Sequence, residues 1–521
     1  MSKGSFEATS RLSEPESGRD FDTPTIDTLA ACEDEPIHIP GAVQPHGVLF
    51  EVVDDDAIVT RVTSNVRSAV GRGASTLLGH SLAAVFGDDA VAWARETVAA
   101  IVPATHAALR RTLADGRAGT LLLHRYHGRT IVEWLADEEH RFATPDRLDR
   151  ELAAGLARAR QAGDVGVLLD HVAEAVKIAS GYDRVMIYRF HPDWHGEIVA
   201  ERTEPGLVGY RGLHYPASDI PAQARRLYVD TRARAICDVY ARDAVLMTAP
   251  TLDPAEPELD LSHAVSRSVS PVHIQYLRNM GTGATLVTSL IVHGALWGLI
   301  ACHHRTRYPV PWYAFGRLRR FTDEVSAALE QRIGELAEAR TRAQDAGRRT
   351  LTEVLAASVA QGLAQLAALL AADGHVVLAG GKLVRSPGLP ASAERLIAAV
   401  LAKADDIGTT DALAETFQGA AAEPGCAGLA WLVVAREPAV VVALVRPEFQ
   451  RTVTWGGDPD KAVHRDVVTQ RLSPRGSFDL WKETVRGQSR PWEDDTRVTL
   501  EAFRRVVDVG ALAEFVARES A

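Results

Sequence analysis

From Trp312 to about Leu370, apolar residues return every three or four positions: Leu318, Phe321, Val325, Leu329, Ile333 and Leu336, with Arg and Glu between them. That spacing lays an apolar stripe along one side of a helix. One continuous helix of this length cannot bury itself in a small domain. It either connects domains or pairs with a partner helix, and an ordinary surface helix broken near Gly347 is the plainer alternative. The 521 residues leave room for about three globular units around it.

Hydrophobic residues make up 46% and charged residues 24%, a balance that supports real cores and excludes wholesale disorder. The net charge of −11 lacks the basic footprint of a nucleic-acid binder. The strongest apolar run, Leu290 to Cys302, is broken by His293 and Gly294 and falls short of the ~18 residues that a membrane span needs. No nucleic acid and no membrane are expected as partners. The first twenty residues are polar, with no secretory apolar core. Four cysteines occur (Cys32, Cys237, Cys302, Cys426), none at CxxC spacing. This argues against a disulfide framework or a cysteine-rich zinc site, and points to the cytoplasm.

Residues 1–27 read as a disordered tail. In 28–140, Gly47–Val53 and Ala57–Val62 bracket the acidic turn Asp54-Asp55-Asp56 as a hairpin. A helix near Ala74 to Phe86 and strands at Thr120–Tyr126 and Thr130–Ala136 complete a small antiparallel sheet. In 141–318, helices at Leu148–Ala162 and Val165–Ala179 precede strands at Arg184–Phe190 and Glu197–Arg202. A helix after Pro221, a helix opened by Ser270 and Pro271, and a hairpin of Ala284–Val292 with Ala295–His304 follow. In 319–521 come the long helix, strands at Leu429–Val434 and Val440–Val445, and a helix near Asp495 to Val509. Between the last strand and that helix, Pro447 to Trp492 reads as a long irregular stretch. Its tryptophans (Trp455, Trp481, Trp492) argue against disorder. The fold class expected is α+β, in three domains that each carry an antiparallel sheet with flanking helices.

No GxGxxG after a strand, GxxxxGK[ST], HExxH or GxSxG element is present. Polar residues instead punctuate the apolar elements of the middle domain. His273 and Tyr276, three apart, share a helix face. His303 ends a strand on the side of Trp297, Leu299 and Ala301. Asp219 sits in Pro216-Ala217-Ser218-Asp219-Ile220-Pro221, stiffened by two prolines, with Arg234 and Arg267 flanking the region. Singly, each is an ordinary core histidine or helix-start anion. Together they suit a pocket for a large, flat, partly anionic ligand.

These residues also carry a family likeness. Cys32-Glu33-Asp34-Glu35-Pro36-Ile37-His38-Ile39-Pro40-Gly41 with Gln44-Pro45-His46-Gly47 resembles the start of a bacterial phytochrome. Pro216 to Pro221, Ser270 to Met280, and Trp297 to His304 resemble its chromophore-binding core. Pro474-Arg475-Gly476-Ser477-Phe478 resembles the PRxSF motif of its tongue. The likeness runs in order over about residues 28–521.

The resemblance implies a PAS domain (28–140), a GAF domain (141–318) and a GAF-like PHY domain (319–521) whose tongue covers about 447–492. It implies a red/far-red photoreceptor that binds biliverdin, a linear tetrapyrrole, by a thioether from Cys32. Plant-type relatives attach instead beside the histidine of the GAF helix, where this chain has Val272. By the same resemblance, Asp219 and His273 serve the pyrrole nitrogens, with Ile220 and Pro221 among the contacts. Arg234 and Arg267, aided by Ser270 and Thr285, hold the propionates, with Tyr228 nearby. His303 bonds the ring D carbonyl, and Tyr188 and Tyr276 flank that ring. Val287 stands where many relatives have Ser, so one propionate contact is expected to be missing. Light isomerises the C15=C16 bond, and the tongue (Arg475, Ser477, Trp481) refolds, with Arg475 paired to Asp219 in the dark. A homodimer through the long helices is implied, with a downstream output domain or response regulator as a further partner. The chain itself is not expected to be an enzyme, as no ATP lid or phosphoacceptor-histidine helix pair is recognisable. The rival from another class is a non-photoactive GAF-type sensor of haem or a cyclic nucleotide. Cys237 and Cys302 are expected to be small buried hydrophobes, and Cys426 a loop thiol.

Overall fold

The structure is a computed structural model that describes residues 35–387, 389, 393–403, 405–417, 425–459, 463–465, 472–474 and 480–521. The expected tail 1–27, Cys32, Arg475 and Ser477 lie outside them.

The N-terminal sheet contains β1 (Gly47–Val53), β2 (Ile58–Thr63), β3 (Ala107–Thr112), β4 (Ala118–Tyr126) and β5 (Arg129–Ala136). Its order is β2-β1-β5-β4-β3, all antiparallel. The helix expected over Ala74 to Phe86 is instead a single turn at Ala74–Thr76 and a short helix at Ala83–Phe86. Gly79 and Gly87, at φ +77° and +85°, break the run. The main helix, α1 (Asp88–Ala100), lies beyond them. Its Ala90, Val91 and Ala94 pack into the core of Phe50, Leu121, Val132 and Trp134.

The middle domain opens with α2 (Pro145–Gln161) and α3 (Val165–Ser180). Gly155 lets these helices touch, since a Cβ there meets Ala175 Cβ at 2.1 Å. Next come β6 (Arg184–Phe190), β7 (Gly196–Thr203), β8 (His214–Tyr215), α4 (Ala222–Asp230) and β9 (Ala233–Ile236). The domain finishes with α5 (Pro271–Asn279), β10 (Ala284–Val292) and β11 (Ala295–His304). The sheet order is β9-β10-β11-β6-β7-β8. One face, with Ala235, Leu286, Ile300, Cys302, Val185 and Ile187, packs on α2, α3 and the long helix. Cys237 and Cys302 are buried, as expected of small apolar residues.

Two devices stitch the first domain to the second. Segment Ala244–Thr248 of the middle domain joins the edge of the N-terminal sheet, pairing with β2 and with Ala42–Val43. Gln44 Nε2 donates to the carbonyls of Ala235 (3.0 Å) and Arg267 (3.1 Å), satisfying buried backbone oxygens across the boundary.

The amphipathic pattern becomes α6 (Trp312–Ala357) and α7 (Val359–Leu369). The break falls at Ser358, whose backbone is extended and whose Oγ accepts from Gln361 N to start α7. Gly347 breaks nothing. It makes room for Leu369 of α7, which a Cβ would meet at 2.4 Å. In the C-terminal domain, β12 (Gly374–Ala379), β13 (Lys382–Arg385), β14 (Ile407–Thr410), β15 (Gly428–Arg436) and β16 (Ala439–Arg446) form an antiparallel sheet in the order β13-β12-β16-β15-β14. Cys426, expected in a loop, is buried against Trp431 and Phe417, where its small side chain fills the core.

The stretch expected to be irregular is partly regular. β17 (Arg451–Gly456) and β18 (Leu480–Val485) pair antiparallel, and β17 also pairs in parallel with β8 at Trp455 and His214. The middle-domain sheet is thereby extended by two strands of the third domain. Backbone hydrogen bonds at an otherwise open sheet edge supply the attachment. Val463–Arg465 and Leu472–Pro474 pair with each other, and the latter lies beside α5. The helix expected near Asp495 to Val509 is α8 (Thr496–Val506), and a further helix, α9 (Val509–Glu519), follows it, capped by Asp508. Among the described residues no helix is long and apolar enough to cross a membrane.

Candidate functional site

The free face of the middle-domain sheet builds one wall of a cavity. In an antiparallel sheet, cross-strand partners share a face, and so do alternate residues of a strand. Arg234 of β9 sits opposite Val287 of β10, Val287 opposite Ala301 of β11, and Ala301 opposite Met186 of β6. One step of two residues along, Ile236, Thr285 and His303 form the next row. Tyr188 pairs with Leu299 on the same side. All of these residues line the cavity.

The opposite wall is α4, α5 and the loop between β8 and α4. Ala217–Asp219 makes a single tight turn between Pro216 and Pro221, after which α4 begins. Arg225 Nη1 donates to Ile220 O at 2.5 Å, pinning the loop to the helix. On α5, His273 and Tyr276 project together with nearly parallel rings 6.2 Å apart. Tyr276 Oη donates to Asp219 Oδ2 at 2.9 Å, closing α5 onto the loop. Ser270 occupies the N-cap position expected of it but makes no cap bond. Its Oγ donates instead to Glu35 Oε2 at 2.7 Å.

The two lobes of the cavity share Asp219, Ile220, Tyr228, His273, Tyr276, Thr285 and Val287 and so form one elongated space. Pro221, Arg234, Arg267 and Ser270 border the first lobe; Tyr188 and His303 border the second. Tyr188, Asp219, Ile220, Pro221, Tyr228, Arg234, Arg267, Ser270, His273, Tyr276, Thr285 and His303, anticipated from sequence, are thus brought together. Trp481 is not among them; it lies exposed on β18, opposite Trp455. Sequence reasoning missed Glu35, Met186 and Gln223 as lining residues. Only the alternation of β6, which sets Met186 beside Tyr188, could have signalled one of them.

The ends of the space differ electrostatically. Arg267 is only 4% exposed, and its Nε and Nη1 have no hydrogen-bond partner among the described residues. Arg234 spends Nη2 on the carbonyls of Arg267 and Ser268. Burial pushes the Arg234 guanidinium down to about 10, and burial together with Arg234 holds Arg267 well below its ordinary value. A buried guanidinium with two unpartnered nitrogens, crowded by a second half-buried arginine, calls for a carboxylate-bearing ligand, because unpaired buried charge is costly. Toward the other end, burial and then Arg234 lower His273 to about 4, while burial, Arg184 and His273 lower His303 to about 3. Both imidazoles are neutral at pH 7, able to donate from one nitrogen and accept at the other. Burial raises the Glu35 carboxyl and the Tyr228 phenol. The arrangement suits a long, flat, apolar ligand with acidic groups at one end and hydrogen-bonding groups at the other.

Comparison with known proteins identifies the three domains. The chain matches the PAS fold over residues 32–134, the GAF domain over 164–338 and the phytochrome region over 341–511. It is 35% identical over 503 residues to a bacteriophytochrome of Xanthomonas campestris pv. campestris, covering 89% of this chain and 76% of that one. To a bacteriophytochrome of Pseudomonas aeruginosa it is 33% identical over 491 residues, covering 92% of this chain and 66% of the relative. The chain therefore spans about two thirds of that relative's length. The crystal structure of a bacteriophytochrome from the photosynthetic bacterium R. palustris superposes with a TM-score of 0.76 at 31% identity, over 94% of this chain and all of the other. The photosensory core module of the Stigmatella aurantiaca phytochrome gives 0.74 at 30% identity, over 96% of this chain and all of that one.

Proposed function

Since this chain belongs to the bacteriophytochrome family, as a photosensory module with PAS, GAF and PHY domains, we propose that it is a red/far-red photoreceptor whose cavity holds biliverdin. The observation that carries this proposal is the buried, under-bonded guanidinium of Arg267 beside that of Arg234, at one end of an elongated apolar cavity whose other end holds neutral imidazoles. Bound biliverdin supplies light absorption and isomerisation about its C15=C16 bond.

The chain's own residues do the rest. Cys32 lies three residues before Glu35, a cavity residue, and three residues span at most about 10 Å. That reach supports its sulfur as the thioether donor. Arg234 and Arg267, with Ser270 and Thr285, receive the two propionates; the unpartnered Nε and Nη1 of Arg267 support this assignment. Val287 offers no hydroxyl there. The Asp219 carbonyl accepts from pyrrole N–H groups, and His273 steadies that contact through a water. Ile220 and Pro221 close the same side, and Tyr228 stands beside the arginines. His303 donates to the ring D carbonyl, and Tyr188 and Tyr276 leave that ring an apolar berth.

Switching is then a change of partners: His303 loses its bond, Asp219 gives up its dark-state pairing with Arg475 of the tongue, and the segment with Ser477 and Trp481 refolds. The β8–β17 pairing and the position of Leu472–Pro474 beside α5 give the tongue a direct hold on the cavity helix. The pull passes to α6, whose Leu336 is exposed and supports pairing with a second copy. An output domain or response regulator receives the signal. The test is to add biliverdin and record spectra under alternating red and far-red light. A photoreversible band is expected. A colourless or light-indifferent product, or a haem Soret band without photoreversal, overturns the proposal.

A further inference from the structure

Away from the cavity, three histidines converge at the tip of the middle-domain sheet: His191 and His195 in the β6–β7 turn and His214 in β8. Their ligand atoms all lie within 4.8 Å of one another. The turn is built to do this. His191 N donates to His195 O, Trp194 N donates to His191 O (both 2.9 Å), and Trp194 takes a left-handed backbone at φ 67°. The rings of His191 and His195 are therefore stacked 4.2 Å apart, with His214 5.2 Å from His195.

A carboxylate already holds one nitrogen of each turn histidine. Glu197 is 3.0 Å from His191 Nε2, and Asp193 is 2.5 Å from His195 Nδ1. Carboxylates that orient imidazoles in this way are the usual outer support of a metal centre. The third ring supplies an independent sign: Nδ1 of His214 is buried with no partner among the described residues.

We propose that His191, His195 and His214 form a site for a divalent transition metal, with zinc the best-suited ion. Three imidazoles with a fourth position open to water match its donor preference and its tetrahedral habit. The site lies against Trp455, whose ring is 5.8 Å from both His195 and His214. Since Trp455 pairs with His214 where β17 joins the sheet, the ion would fasten the turn to the strand on which the tongue is seated.

A second convergence, His106, His124 and Glu133, provides the internal control. There the Glu133 oxygens already accept from Val265 N, Ser266 N and Ser266 Oγ, and His106 Nε2 is spent on His263 O, so that only His124, whose two ring nitrogens are buried without a partner among the described residues, has a lone pair to spare.

The experiment uses the chain without bilin, because tetrapyrrole nitrogens themselves bind zinc. Equilibrium dialysis against zinc, with cobalt as a spectroscopic substitute, counts bound ions and reports their ligands. One zinc per chain is expected, with cobalt d–d bands of low coordination number. Glu197→Gln should weaken binding about 10- to 100-fold, and His195→Ala or His214→Ala by more. Circular dichroism without metal checks that the variants remain folded. A folded chain that takes up no zinc, or zinc lost on His124→Ala and retained in His195→Ala, overturns the assignment.

Discussion

Ser270 donates to Glu35 across 235 residues of sequence, at 2.7 Å and inside the cavity. This bond moors the segment following Cys32 to the first turn of α5, near Arg234 and Arg267. The N-terminal segment and the two arginines are thus brought to the same end of the cavity.

From this follows the first expectation. Cys32→Ser should abolish the covalent adduct, seen as loss of pigment from the denatured protein, while the native protein retains pigment in the cavity. Retention of a covalent adduct would point to a different attachment site.

Arg267 gives a prediction of two opposite signs. Arg267→Met removes a buried cation that faces Arg234 and leaves no donor unpaired, so the bilin-free protein should gain about 1–3 kcal/mol of stability. Biliverdin affinity should fall roughly 10- to 100-fold, the worth of a charge-assisted bond. Urea unfolding and fluorescence titration measure the two effects.

Gly196 lies beneath the ring of Tyr188, and a Cβ there falls 1.7 Å from Tyr188 Cζ. Gly196→Ala must displace the ring. A stability loss of about 1–3 kcal/mol is expected, with an altered photoconversion yield. An unchanged light-minus-dark spectrum would show that Tyr188 does not border the moving part of the pigment.

His303 and His273 titrate in the folded state at about 3 and about 4, against an ordinary 6.5. Between those values the unfolded chain binds protons that the folded chain refuses, so their stabilisation is complete above pH 6.5 and is lost as pH falls toward 4. The raised carboxyls Glu133 and Asp243 work in the opposite sense, and comparing a variant with its parent at each pH cancels them. His303→Gln should therefore make the dependence of the urea midpoint on pH shallower between 6.5 and 4. An identical slope in variant and parent would show that His303 binds its proton equally well in the folded and unfolded chain.

Much of the middle domain was legible in the sequence. Strand Arg184–Phe190 and hairpin Ala284–Val292/Ala295–His304 emerge at the expected bounds because apolar runs and the His293-Gly294 turn are local signals. The twelve described site residues anticipated in this domain line one space. Tyr188, Tyr228, Arg234, His273, Tyr276, Thr285 and His303 sit on helices and strands whose period sets their face, whereas Asp219, Ile220, Pro221, Arg267 and Ser270 sit in turns and loops that carry no such period. The break at Ser358 rather than Gly347 was not legible, because Gly347 is occupied by the packing of Leu369, a contact made only when α7 folds back. The regular strands within 447–492 were hidden for the same reason: β17 is completed by hydrogen bonds to β8, more than two hundred residues away.

Composition, period and turn chemistry therefore determined the three-domain α+β layout and which faces are apolar, because those preferences act between neighbours along the chain. Tertiary structure alone decided that Glu35 enters the cavity, that Arg267 is buried without a full set of partners and that His214 meets the two histidines of the β6–β7 turn. Each of these depends on segments brought together by burial and by satisfying backbone groups, and no local pattern encodes such distances.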